Sequence, residues 1–191
     1  MPVLFLLSSL SALAALHGPI FCASTDRQLC VIEHVEIPGL REASWTVVNP
    51  HEYVFATPLL EHVHDYKTTT MTVNLDLTVV TQDGIPLRLK HGAYRLAVRP
   101  VDAANALRTF GAKVETRLSF ATHLTTIEYG RTFSNLSLNN VLDKAILEKA
   151  LRNTSNTLRQ SFAQAYIDVI QVKSPRIDLS AEDTKLAVRV Q

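Results

Sequence analysis

The first 25 residues contain no Asp, Glu, Lys or Arg. Over the whole chain neither sign of charge is in excess: 19 Lys and Arg stand against 18 Asp and Glu, a net charge of +1. That balance offers nothing to a polyanion, and no dense basic patch with interleaved aromatics occurs, so nucleic acid is not an expected partner. Cysteine is scarce. Cys22 and Cys30 are too few for a disulfide framework and form no Cys-x-x-Cys, so they read as two unpaired thiols. Neither a P-loop nor a G-x-G-x-x-G is present, which removes the usual phosphate cradles. No G-x-S-x-G is present either, and scattered Ser, His and Asp carry no triad geometry. One cluster has the look of a metal site: Glu61, His62, His64 and Asp65, with His51. His62 and His64 would share a strand face, but no third ligand follows at a zinc-type spacing, so they read as exposed polar residues. No catalytic residue, metal or cofactor is therefore assigned, and an enzyme is not expected.

What is present begins with that uncharged start. Val3–Ala23 is mostly Leu, Ala, Ile, Phe and small residues, with Leu4, Phe5, Leu6, Leu7, Leu10, Leu13 and Leu16 as its apolar body. As a helix of roughly 20 residues it would be about 30 Å long, enough for a bilayer core. Three readings stay open: a membrane anchor over 1–25, a signal peptide cleaved near Cys22-Ala23-Ser24, or a buried core segment. Gly18-Pro19 would kink or end such a helix, and the flanking charges are too balanced to set an orientation. Cys22 at a membrane edge is also a candidate for acylation.

The remaining 26–191 reads as one folded domain, with an apolar fraction of 47% for the chain. Short strands are expected over Gln28–Ile37, Trp45–Val48 and His51–Ala56, with a short helix or extended chain at Pro58–Val63. A long strand follows at Tyr66–Val80, where Met71, Val73, Leu75, Leu77 and Val79 alternate with polar residues. Asp83-Gly84 then turns the chain, because glycine supplies a positive φ without Cβ strain, and Ile85–Val98 returns as the antiparallel partner. The second half has helical spacing. Asp102 caps a short helix to Phe110, and a second helix spans Val114–Tyr129 and ends at Gly130. The longest, Leu138–Tyr166, is capped by Ser137 and carries a stripe through Leu138, Leu142, Ile146, Leu158 and Phe162. The polar run Asn153–Thr157 is a weak point in that helix. A β-branched strand, Ile167–Val172, follows, and Ser180 and Asp183 form a capping box for a final helix. The expected class is α+β: an antiparallel sheet with a hairpin at Asp83-Gly84, packed by helices and preceded by a membrane segment. Asn135-Leu-Ser137 and Asn153-Thr-Ser155 are glycosylation sequons, which matter only in a lumenal domain.

Several stretches, in this order, resemble one family. They are Ala56–Thr68, the hairpin Thr81-Gln-Asp-Gly-Ile-Pro-Leu87, Tyr94–Val98 with the helix Asp102–Phe110, Leu136-Ser-Leu138 with the long helix, and Tyr166–Ile177. Together they resemble the SPFH (band 7) domain of stomatins, prohibitins, flotillins, erlins and the bacterial HflK and HflC proteins, over residues 45–185. The departures are Ile167 where members often carry glycine, few glycines around Trp45–Phe55, and no long coiled-coil helix before Gln191. The last of these leaves large rings without their usual driver.

The resemblance implies a scaffold tied to membrane lipids by a single N-terminal anchor. It would form homo- or hetero-oligomers, organise a membrane patch and regulate a partner membrane protein or protease. The mitochondrial inner membrane, the endoplasmic reticulum and the plasma membrane are all compatible sites. Two alternatives differ in class: a secreted or periplasmic domain that binds a small or lipidic ligand after signal cleavage, and an accessory subunit of a larger organellar complex.

Overall fold

The computed structural model describes residues 20–178. Most of the apolar run, including Leu4 to Leu16, and the final helix expected from Ser180 lie outside them. The described chain is α+β, with antiparallel sheets and four α-helices, and it divides into two compact units.

Among the described residues, the first unit takes 20–69 and Val98–Lys113. Ile20–Ala23 (β1) pairs with Tyr53–Ala56 (β4) as a two-stranded ribbon. Gln28–His34 (β2) lies between Ser44–Val47 (β3) and Glu61–Lys67 (β5). The last four positions of the expected Val3–Ala23 helix are thus extended chain: strand alternation puts Cys22 inward and Phe21 outward. Cys22 and Cys30 are not free thiols. They form a disulfide with a Cα separation of 6.1 Å, within the normal span for such a bridge. Scarcity misled the reading, because a pair only eight positions apart is brought together when β1 and β2 share one inner face. With Ile32 and Val48 the bridge forms a small core, flanked by Val54 and Val63. The buried Ser24 hydroxyl donates to Val48 O and accepts from Cys30 N, both at 2.8 Å. After a 3-10 turn at Pro100–Asp102, the helix Ala103–Phe110 (α1) buries Ala103, Ala106 and Leu107, an i, i+3, i+4 set, and packs on β2 and β3. Asp102 stands at its N-cap but makes no side-chain cap bond; its carboxylate pairs with Arg99 instead.

Among the described residues, the second unit takes Thr70–Ala97 and 114–178. Met71–Val80 (β6) and Pro86–Ala97 (β7) form the expected hairpin. Asp168–Lys173 (β8) and Arg176–Asp178 (β9) share the other edge of β7. The strand expected from Tyr66 to Val80 is broken: β5 ends at Lys67 and β6 starts at Met71, so the stretch holds the end of one strand and the whole of the next. The loop at the hairpin has three residues. Gly84 N donates to Thr81 O and Thr81 N to Ile85 O, with Gly84 at φ +77°, which is a turn followed by a bulge glycine. Gly92 is required for a different reason: a Cβ there would lie 2.7 Å from Leu75 Cδ1 and 2.9 Å from Pro175 Cβ.

Three helices complete this unit. Val114–Phe133 (α2) packs on β6 and runs through Gly130, where an end was expected. Burial of Tyr129 and Phe133 outweighs the roughly 1 kcal/mol that glycine costs inside a helix. Its buried stripe is Arg117, Ala121, Thr125, Tyr129 and Phe133, a set too polar to stand out in the sequence. The single helix expected over 138–166 is two: Leu138–Leu142 (α3) and Lys144–Gln164 (α4). Asp143 separates them, in extended conformation, and its carboxylate accepts from Ala145 N and Ile146 N as the α4 cap. The polar run at Asn153–Thr157 stays helical. Thr154 is buried, bonds back to Ala150 O, and meets the Thr132 hydroxyl of α2 at 2.6 Å. α4 ends in a Schellman motif: Ile167 N donates to Phe162 O and Tyr166 N to Ala163 O, with Tyr166 at φ +60°.

Candidate interaction surfaces

The residues singled out in the sequence go to different places. Asp83 does more than turn the chain. Its Oδ2 accepts from Leu138 N at 2.7 Å, and Gln82 N donates to Leu136 O at 2.9 Å. The hairpin tip is thereby clamped to the start of α3, where Ser137 supplies the expected cap by accepting from Asn140 N. Of the long-helix stripe, Leu138, Leu158 and Phe162 are buried, while Leu142 and Ile146 are 49% and 40% exposed. The stripe leaves the core on either side of the break at Asp143 and returns to it at Leu158.

Leu142 borders an open groove of about 870 Å³ between α3 and α4 on one side and β8 and β9 on the other. Leu142, Leu147, Leu151, Val172, Pro175 and Ile177 supply its apolar lining. Lys144, Arg152, Arg159 and Arg176 stand around it with a single carboxylate, Glu148, which pairs loosely with Lys144 at 3.9 Å. The groove therefore combines apolar contact area with a net positive rim, the composition that suits an amphipathic, acidic surface. Arg152 and Arg159, seven residues apart, lie on one face of α4, a spacing visible in the sequence though not singled out there; Arg176 arrives from another element, and no pattern in the chain announces it.

A second surface lies on the first unit. Phe21 and Phe55 are directly paired across the β1–β4 ribbon, and Tyr53 joins them. Ring centroids are 5.5 Å apart for Phe21 and Phe55 and 5.9 Å for Phe21 and Tyr53. All three rings are more than half exposed. The inner face of the same ribbon holds Cys22, so the disulfide fixes this aromatic face to the sheet below it.

Of the expected metal-like cluster, Glu61 and His64 enter cross-strand pairs, while His62 is exposed on β5. His34 Nδ1 meets Glu61 Oε1 at 3.0 Å, and its Nε2 meets the Thr46 hydroxyl at 2.9 Å. His64 pairs with Glu33 at 3.0 Å and stacks on Trp45 at 5.4 Å, and His51 reaches Asp26. Among the described residues no group of three or more His, Cys, Asp or Glu is arranged to hold a metal ion. In the second unit, Tyr94 and Tyr129 bring their hydroxyls to 3.1 Å in the core. Burial, and then Tyr94, push the Tyr129 phenol well above the ordinary tyrosine range. On the outer face, hydrogen bonding to Arg88 holds the Asp76 carboxyl below its usual value, and Lys90 does the same for Asp178.

These features define a class: an α+β module with a helix-clamped hairpin, a basic apolar groove and an exposed aromatic face. The SPFH domain / Band 7 family model matches residues 33–189, and the chain belongs to that family. No curated protein matches the chain at a significant level. No helix among the described residues is long and apolar enough to cross a membrane.

Proposed function

We propose that the protein is a membrane-anchored scaffold that oligomerises and organises a membrane patch or regulates a partner membrane protein or protease. Band 7 proteins are in general scaffold-like rather than enzymatic and are usually associated with membranes. The observation that carries the reading is a continuity. The uncharged stretch from Met1 runs directly into β1, and β1 and β4 expose Phe21, Tyr53 and Phe55 there. Such rings favour the headgroup zone at the end of a membrane segment. The basic, apolar groove of the second unit supplies a surface for a protein neighbour.

The test is Leu10→Arg with Leu13→Arg in the full chain. Each arginine costs about 3 kcal/mol in an apolar helix core, so the pair should move the protein from carbonate-washed membranes into the supernatant. Retention equal to wild type refutes the anchor. Native mass of the particle extracted in mild detergent reads the assembly, and a monomer there refutes the oligomer.

The disulfide favours one further reading, a domain released after signal cleavage. Cleavage near Cys22-Ala23-Ser24 would strip β1 from its ribbon and leave Cys30 without its partner. A cleaved form that keeps this fold must therefore be cut before Ile20, which N-terminal sequencing of the mature protein reads directly.

A further inference from the structure

Two features bear on the compartment: the disulfide of the first unit and the sequons of the second. We propose that the domain resides on the oxidising, lumenal side of its membrane and that Asn135 carries an N-linked glycan there. The proposal rests on those two features and not on the anchor.

The Cys22–Cys30 bond forms when two thiols lose two electrons and two protons by exchange with an oxidised dithiol carrier. Such bonds persist in secretory and extracellular spaces and are rare where glutathione and thioredoxin keep thiols reduced. Here the bridge is a built part of the fold. Cys30 is fully buried and Cys22 nearly so, both sit in the apolar cluster with Ile32 and Val48, and the adjoining backbone is tied by the Ser24 hydroxyl. The fold thus suits an oxidising compartment, and the lumen in which asparagine glycosylation takes place is one of these.

Of the two sequons, the structure favours one. Asn135-Leu136-Ser137 occupies the connection between α2 and α3, with Asn135 exposed in a turn. An acceptor sequon must be drawn into an enzyme's cleft, and a surface turn gives way more easily than the middle of a packed helix. Asn153-Thr154-Ser155 lies in the middle of α4, with Thr154 buried and bonded to Thr132 and Ala150. At Asn135 the amide nitrogen Nδ2 attacks C1 of an oligosaccharide carried on a lipid diphosphate. The N–C1 bond forms, the C1–O bond breaks with its electron pair leaving on the lipid diphosphate, and one amide proton passes to a carboxylate base of the transferase. The remaining N–H suffices for the bond that Asn135 Nδ2 donates to Arg131 O at 2.9 Å in the fold. Ser137, needed for recognition in the open chain, is afterwards free to cap α3. Asn135 and Asn153 both line the shallow depression between α2 and α4. A glycan there covers that face and leaves the basic groove on the other side of α4 to protein contacts.

The test translates the full chain in the presence of microsomes from the endoplasmic reticulum. Wild type should show one glycosidase-sensitive step in gel mobility, resist protease added outside intact vesicles, and keep both cysteines inaccessible to alkylation until reduced. Asn135→Gln should abolish the step, whereas Asn153→Gln should leave it. Ser137→Thr preserves both sequon and cap and should keep the step, and Ser137→Ala should lose it. An unshifted wild-type chain, cysteines alkylated without reductant, or a step removed by Asn153→Gln and not by Asn135→Gln each overturn the proposal. Carbonate extraction of the same vesicles separates it from the anchor: a glycosylated chain that washes off keeps this inference and ends the anchor, and a retained chain without a glycan does the reverse.

Discussion

Removing the Asp83 carboxylate should loosen the joint between the hairpin and α3. In Asp83→Ala the Leu138 N–H loses its acceptor at 2.7 Å. Leu138 itself is buried, so water does not replace that acceptor freely. Leaving a buried donor unsatisfied costs about 1–3 kcal/mol. Loss of a negative charge at a helix N-terminus adds about 0.3–1 kcal/mol, at the low end here because Asp83 is exposed and α3 is short. A net loss of about 2 kcal/mol follows, or roughly 4–8 °C in Tm for a chain of this size. Asp83→Asn keeps an acceptor oxygen and gives up only the charge, so it should lose less than half as much. Urea and thermal unfolding measure the ranking, and hydrogen exchange of the Leu138 amide reports the bond itself. A change for Asp83→Ala within the roughly 0.5 kcal/mol scatter of ordinary surface substitutions, with Leu138 still protected, would refute the clamp.

Three further outcomes follow from the second unit. Tyr94→Phe or Tyr129→Phe alone strands one buried hydroxyl and should cost about 1–2 kcal/mol, while the double variant should recover much of that loss; strict additivity in the cycle speaks against the pair. Tyr166→Gly relieves a left-handed residue at the end of α4 and should raise the urea midpoint by the equivalent of about 1 kcal/mol; a lower midpoint contradicts the strain. Because the folded-state pKa values of Asp76 and Asp178 are lowered, the stability they add is complete above the ordinary value of 3.8 and disappears as pH falls below it. The opposite holds for Tyr129, whose raised pKa makes the fold lose stability as pH climbs past the ordinary value of 10.0. Arg88→Ala should flatten part of the acid limb, and an unchanged profile would remove Asp76 as its source.

Local chemistry was legible along the chain where one periodicity dominates. Alternation from Met71 to Val79, the glycine at the hairpin, the serine cap before Leu138 and the order of the family-like stretches all follow from residues close together in sequence, and the structure keeps them. Contacts between distant segments obey another rule. Cys22 meets Cys30 because two strands share an inner face, and Asp83 meets Leu138 because the chain returns after 55 residues. Where local preference and packing disagreed, packing won: α2 continues through Gly130, and α4 keeps its polar centre because Thr154 finds Thr132 across the helix interface. The break at Asp143 went the other way, since a carboxylate that caps two amides ends the preceding helix as it begins the next. A residue's neighbours along the chain set its conformational preferences, but burial and pairing energies depend on partners that are assembled by folding.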